Sequence, residues 1–341
     1  MVAGMPLPTR SVCQPEGPDM AVGKIVLITV PYDQGDILPD FLDWHLELGV
    51  DMIVAQDGGS TDGSREILEQ YSKTQQVDWF PLAERDMSKY NIGDSMARMA
   101  IDMYGADWII LLDVDEFLCT RGPDLRSVLS DAERADVSVL NIRRHAMTGS
   151  PIAPGQRATQ ALTVRVDRVA SPSHEQMMSG ELPAGFLFVA VPGHLAVRGS
   201  AFSRYGPGAH AVETLWGSNE TTEQLYILHY ALRGFGELET KVRNIAAWFE
   251  DNKHLAGLWG WHWKRWLRLH EQGRLREDYN NEFLSPERAA ELIREGVCSI
   301  DDTIATWLAH REAKTNQRRG LPDSIKRIAG SLIAPFRPRQ R

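Results

Sequence analysis

The sequence predicts a Rossmann-like α/β fold with a mixed central sheet and a helical C-terminal extension, and three observations carry the prediction. Apolar runs alternate with amphipathic segments from Lys24 onward, the stretch "QDGGSTDGS" follows the second run, and the fourth run, "IILLDVDEFL", ends in acids. Strand and helix signals that alternate argue parallel pairing, because a parallel crossover needs a helix to bring the chain back.

The first apolar run, Ile25 to Val30, reads as a strand, and Leu38 to Leu48 as a helix with Pro39 in its first turn and Gly49 placed to stop it. A strand from Met52 to Ala55, a helix from Ser64 to Tyr71, a strand around Val77 to Phe80, a helix near Ile92 to Tyr104 and a strand from Trp108 to Leu112 continue the series. Past Asp124 come a short helix and a strand from Val137 to Ile142. From Ser150 to Gly193 Pro and Gly punctuate the chain without helical period, which predicts short strands. Glu237 to Glu250 and Leu255 to His270 read as helices, and no internal repeat is visible.

At 341 residues with 43% hydrophobic content the chain buries a large core. The net charge of −9 argues against a nucleic-acid binder, which needs a basic face to displace counterions, and favours a small or carbohydrate partner. Cys13, Cys119 and Cys298 lie far apart, an odd number without CxxC spacing, and point to a reducing compartment. Residues 1–22, with Pro6, Pro8, Pro15 and Pro18, lack a signal-peptide core and read as a disordered lead-in. No stretch approaches the roughly 18 consecutive apolar residues of a membrane span. The expected localisation is cytoplasmic, at the inner face of a membrane if the basic tail binds there.

In open α/β sheets ligands bind at the carboxyl ends of the strands, where Asp113, Asp115 and Glu116 fall. In extended chain Asp113 and Asp115 share a side while Val114 turns to the core. Two convergent carboxylates suit a hard divalent ion held together with phosphate oxygens, and the bland alternative is a strand that ends in solvent. In "QDGGSTDGS", Gly58, Gly59 and Gly63 allow close backbone approach and Asp57 can accept hydrogen bonds from a base or ribose. The alternative is an ordinary turn in which Ser60 or Asp62 caps the next helix.

Together these motifs have the order and spacing of a known family. From Lys24 to about Tyr230 the chain resembles the metal-dependent glycosyltransferases of the GT-A fold, family 2 type, and within them the branch related to family 92. The residues that carry the resemblance are "FLDWHLELGVDMIVAQDGGSTDGS" and, about fifty residues on, "DWIILLDVDEFL". The resemblance implies that Asp57 contacts the nucleoside, Asp113 the ribose or a metal-bound water, and Asp115 the metal, Mn²⁺ or Mg²⁺. It also implies a nucleotide-diphosphate sugar as donor. The family's Asn-Glu pair after the first strand is replaced by "VPYDQGDIL", which leaves Asp36 as the nearest acid.

"RYGPGAHAVE" and "YILHYALRGFGELETK" resemble the branch's later segments. A downstream His completes the metal or diphosphate site in this fold, with His210 the first choice and His229 the second; each is otherwise a His satisfied by backbone carbonyls. Lys241 and Arg243 either neutralise a diphosphate or form a solvated face. Inversion, again by resemblance, requires a carboxylate to take the acceptor proton, and Glu116 and Glu213 are the candidates.

In "LAGLWGWHWKRWLRLH", Trp259, Trp263 and Trp266 share a helical face that reads as core, as an acceptor platform or as a membrane-surface helix. The tail from Lys314 is basic, and Ile325, Ile328 and Leu332 line one face of it, which suits either an anionic membrane surface or a disordered tail. The expected division is therefore residues 23–235 as the glycosyltransferase unit, 236–312 as the helical extension and 313–341 as the tail. The acceptor expected is a glycan or glycolipid. Two rival readings are a catalytically silent sugar-nucleotide or glycan-binding protein and a haloacid-dehalogenase-type phosphatase, which also places a DxD after an apolar strand but begins its domain there.

Overall fold

The computed structural model describes residues 22–82, 92–182, 184–206, 209–251 and 260–320. The first half alternates as expected: β1 (Ile25–Thr29), α1 (Leu38–Leu48), β2 (Met52–Asp57), α2 (Ser64–Ser72), β3 (Val77–Pro81), α3 (Ile92–Asp102) and β4 (Trp108–Leu111). Then follow β5 (Glu116–Thr120), α4 (Leu125–Arg134), β6 (Val137–Thr148), α5 (Ala158–Ala161), β7 (Val164–Val166), α6 (His174–Ser179), β8 (His194–Arg198), β9 (Phe202–Tyr205), β10 (Val212–Thr214) and β11 (Ser218–His229). The C-terminal region is helical: α7 (Phe235–Asp251), α8 (Trp261–Glu271), α9 (Leu275–Asn281) and α10 (Pro286–Arg294), then β12 (Cys298–Ile300) and α11 (Thr303–Gly320).

β1 pairs in parallel with both β2 and β4, and β2 with β3. The sheet then turns mixed, because β8 runs antiparallel to β4 and to β6, so the strand order reads β12-β7-β6-β8-β4-β1-β2-β3. β11 bridges the far side, parallel to β6 and antiparallel to β5. This is the mixed central sheet with a helical C-terminal region that the GT-A resemblance implies.

One sheet face buries Phe41 and Leu42 of α1, Leu68 of α2, Leu129 of α4 and Ile304 and Leu308 of α11. The other buries Met96, Ala97 and Ala100 of α3 with Phe202 and Tyr205 of β9. Helices thus cover both faces, which is why β1 is apolar and buried at every position. α1 stops where expected: Gly49 takes φ 106°, and its N–H caps the carbonyls of His45 and Leu46.

Two expectations are corrected. The span Ser150 to Gly193 holds α5, α6 and a 3-10 turn at Phe186–Phe188 with β7 as its strand, rather than a series of short strands. Its helices are too short to show a period, and α6 is made by a capping box between Ser173 and Gln176. β6, expected to end at Ile142, runs on through Arg143, Arg144 and His145 to Thr148. The apolar run ends there, but Arg144 and His145 are buried in polar contacts.

Trp266 of the aromatic helix is buried against Phe186, ring centroids 4.6 Å apart, in a second core with Leu238 and Val242 of α7. That is the core reading of this helix; Trp259 lies outside the described residues, as does the tail from Leu321. Among the described residues no helix is long and apolar enough to cross a membrane.

Candidate active site

β4 lies in mid-sheet, and the chain leaves its carboxyl end in a tight turn, not in extended form. The Glu116 N–H donates to the Asp113 carbonyl at 3.0 Å, and Val114 drives its side chain into the core. Asp113 is exposed, whereas Asp115 and Glu116 are buried. The sequence reading that Val114 faces inward therefore holds, whereas Asp113 and Asp115 do not share a side as extended chain would place them, because the turn leaves Asp113 exposed and buries Asp115.

Glu116 anchors this turn. Its Oε1 accepts from Arg144 Nη1 at 2.5 Å, its Oε2 accepts from the Asp113 N–H at 3.0 Å, and His194 Nε2 lies 2.9 Å from the same Oε2. Burial pushes the Glu116 carboxyl up, but His194 and Arg144 outweigh it and hold the group well below the usual carboxylate range. The topology explains the meeting. Ile110 pairs with Ala196, so antiparallel β8 begins at His194 beside the end of β4, and β6, which pairs Ile142 with His194, carries Arg144 past it.

Asp115 faces the other way. Its Oδ2 accepts from Arg233 Nη1 at 2.9 Å and from Lys241 Nζ at 3.1 Å, and its Oδ1 lies 3.6 Å from His229 Nε2. Burial raises the Asp115 carboxyl, but Lys241, His229 and Arg233 together hold it low. His229 ends β11 directly opposite Glu116, which is what brings it to the turn. Burial and then Arg144 lower the His229 imidazole to about 4, so it is neutral and free to act as a ligand near pH 7. Asp113, desolvated by the surrounding protein and crowded by Glu116, is pushed up to about 6.

Arg233 is nearly inaccessible, its side chain 1% exposed, and it ties three elements together. Besides Asp115 it donates to Asp36, to Gln34 Oε1 at 2.6 Å and to Glu237 on α7 at 2.9 Å. The departure at "VPYDQGDIL" has a structural use, since Gln34 and Asp36 seat this arginine. Lys241 pairs with Glu237 as well as Asp115, whereas Arg243 is 60% exposed and pairs with Glu239, the solvated-face alternative.

The glycine-rich loop after β2 is laced to the loop after β1. Asp57 is fully buried; it accepts from the Ser60 N–H at 3.1 Å, the Gly59 N–H at 3.3 Å and Arg65 Nε at 2.6 Å. Burial opposes ionisation here, but Ser60 and Arg65 keep the carboxyl low. The Gly58 N–H donates to the Pro31 carbonyl at 2.8 Å, and a Cβ on Gly58 would stand 3.2 Å from Tyr32 Cβ. Gly59 takes φ +101° with open space beside it.

His210 Nδ1 donates to the Gly193 carbonyl oxygen at 2.9 Å, and its ring stands 4.9 Å from that of His194. It thus contacts the β8 side of the site, while His229 is the histidine at Asp115. Glu213 lies on β10, 63% exposed, and pairs with Arg204 at 2.6 Å. Arg144, His194 and Arg233 escaped sequence reasoning. The available signal was Arg143-Arg144-His145 following an apolar strand run, because buried cations in a strand imply buried acids nearby.

The donor chemistry fits a divalent cation. Asp113, Glu116 and His194 each offer a ligand atom, all within 4.8 Å of one another, and Asp115 with His229 offers a second carboxylate and imidazole pair.

An α/β fold with an acid turn at a central strand end and a glycine-rich loop beside it is the architecture that the GT-A resemblance implies. Residues 27–189, just under half of the chain, match the family model described as Glycosyl transferase family 2. No curated protein matches the chain significantly. Among solved structures, Staphylococcus aureus TarS residues 1–349 aligns at 13% identity over 79% of this chain and 83% of that one, TM-score 0.36. A structure of TarS aligns at 16% identity over 38% of this chain and 23% of that one, TM-score 0.31, so the match spans under a quarter of that protein. Glucosyl-3-phosphoglycerate synthase from Mycobacterium tuberculosis aligns at 14% identity over 63% and 74%, TM-score 0.31. Likenesses this distant do not bear on substrate.

Proposed function

We propose that the chain is a metal-dependent glycosyltransferase that moves a sugar, with inversion, from a nucleotide-diphosphate donor to a hydroxyl of a glycan or glycolipid. The observation that carries this reading is the convergence of the Asp57 loop, the Asp113–Glu116 turn and the Arg233–Lys241 pair at the carboxyl ends of neighbouring strands. The family match over residues 27–189 supports it. The family 92 branch remains part of the proposal, resting on the motif resemblance.

In this reading Asp57, Gly58, Gly59 and Asp36 border the nucleoside and Asp113 the ribose. The carboxylates of Asp113 and Asp115 would hold Mn²⁺ or Mg²⁺, Asp113 together with Glu116 and His194, whose ligand atoms lie within 4.8 Å of its own, and Asp115 together with His229, with His210 beside His194; when bound, the ion supplies Lewis-acid stabilisation of the departing diphosphate. Lys241 and Arg233 fix the orientation of Asp115 and add positive charge where the leaving group develops its own. Glu116, both oxygens engaged, orients the turn. Glu213 is then the proposed proton acceptor, a role that requires its release from Arg204.

The test is turnover. Incubation with UDP-, GDP-, CMP- and dTDP-sugars and Mn²⁺ should release the free nucleotide from one donor class, with EDTA abolishing release and Asp115→Asn lowering it by at least 10²-fold. One observation favours the silent-binder reading: Asp115 already has two cationic partners. Nucleotide binding without turnover on any donor would decide for it. The basic segment 313–341 is proposed to touch anionic membranes; deletion of 321–341 should abolish co-sedimentation with phosphatidylserine vesicles, and unchanged sedimentation would remove that role.

A further inference from the structure

Beside the acid turn lies a second recess. A cleft of about 220 Å³ opens between β6 and the start of β8, with Arg143, Arg144, His194, His210, Asn141 and Thr221 as its polar walls. Carboxylates are absent from its lining. Two of its groups have unmet capacity: Arg144 Nε and His194 Nδ1 are buried and have no hydrogen-bond partner among the described residues. His194 is 2% exposed and Arg144 has a side chain 10% exposed, so both are walls of the fold rather than surface residues.

The chemistry of these walls selects a ligand. Arg144 spends one nitrogen, Nη1, on Glu116, and His194 directs Nε2 at the same carboxylate. The Arg144 guanidinium therefore keeps its Nε–H for a further acceptor, and His194 Nδ1 borders the same space without a partner among the described residues. Arg143 stands at the rim, 59% exposed, with a long contact of 3.9 Å to Glu223. An unmet buried donor carries a desolvation cost, which an anionic oxygen would relieve after a small side-chain shift. The volume, below the roughly 300 Å³ at which drug-sized sites begin, suits one sugar ring or its charged substituent.

We propose that this cleft is an anion subsite for the acceptor, taking the carboxylate or phosphate of an acidic sugar. The inference rests on the glycosyltransferase reading for the word acceptor, and it stands on its own as an anion site. The location agrees: two of its walls, Arg144 and His194, contact Glu116, the sequence neighbour of Asp115, so an acceptor anchored there lies beside the acid turn.

Calorimetric titration of the full chain with glucuronate, glucose 6-phosphate and glucose tests it. At least one of the two anionic sugars should bind ten times more tightly than glucose, and which one does distinguishes a carboxylate from a phosphate acceptor. Arg143→Gln at the exposed rim and Arg144→Lys, which keeps a cation for Glu116, should each weaken that binding threefold or more. Equal affinity for all three sugars would overturn the proposal. So would anion binding that survives both arginine variants and disappears in Lys241→Gln, which would place the anion at the diphosphate side. UDP, GDP, CMP and dTDP titrated separately keep the two readings apart: anion preference without nucleotide binding overturns the transferase reading and leaves the subsite.

Discussion

His45 shows how a single side chain shapes the site from a distance. Fully buried in α1, it contacts the Phe41 carbonyl through Nδ1 at 2.8 Å and accepts from the Leu118 N–H through Nε2 at 3.1 Å. It thereby pins β5 two residues beyond Glu116. Burial lowers its imidazole to about 3, against an unfolded value of 6.5. Between these values the unfolded chain binds a proton that the fold refuses, so stability rises with pH in that window and is lost as pH falls below 6.5. From pH 6.5 to 5 the loss from this group is roughly 2 kcal/mol. In urea unfolding at pH 7 and pH 5, His45→Gln should lose less stability than the parent by about that amount; parallel losses would contradict the assignment. The sequence marked the segment around His45 through its family resemblance, but the contact with Leu118 joins residues 73 apart and has no local signature.

At the scale of elements, β6 is the lesson in legibility. An apolar run announces a strand only while apolar residues continue, and β6 continues through charge because Glu116 and the Val166 carbonyl satisfy Arg144 and His145. The acids at the end of β4, α1 and the succession of the first four strands along the chain were readable, since periodicity and end signals are local. The reversal at β8 and the arrival of β11 beside β5 were not, because they depend on long-range pairing. Gly193, just before β8, marks the closest approach: a Cβ there would lie 2.0 Å from the Ile142 carbonyl oxygen, a backbone atom. Gly193→Ala should therefore cost at least about 2 kcal/mol and disturb His210, which bonds the Gly193 carbonyl. Gly59→Ala, with positive φ but open space, should cost about 1–3 kcal/mol in backbone strain without a clash. Melting both variants checks the contrast; equal stability of Gly193→Ala and the parent would mean that the loop does not press on β6.

The whole molecule arranges two sets of basic side chains around one turn. Arg144 and His194 compensate Glu116 from β6 and β8, while Arg233, Lys241 and His229 surround Asp115 from the β11–α7 segment. The parallel half supplies the acids and the glycine-rich loop; the mixed half and α7 supply the cations. Sequence reasoning found the acids because they cluster in four consecutive positions, and it found only Lys241 and His229 among their partners because the others are scattered across ninety residues. In the proposed function this assembled site takes a diphosphate with its counter-ion, which is the central claim.

The most direct measurement is calorimetric binding of UDP, GDP, CMP and dTDP to the full chain, each with and without Mn²⁺, in the parent and in Asp115→Asn. The account predicts binding of one nucleotide, at least tenfold tighter with Mn²⁺, with the Mn²⁺ dependence lost in Asp115→Asn while the thermal midpoint shows a folded protein. Binding that ignores both Mn²⁺ and Asp115, or no binding of any nucleotide, would contradict it.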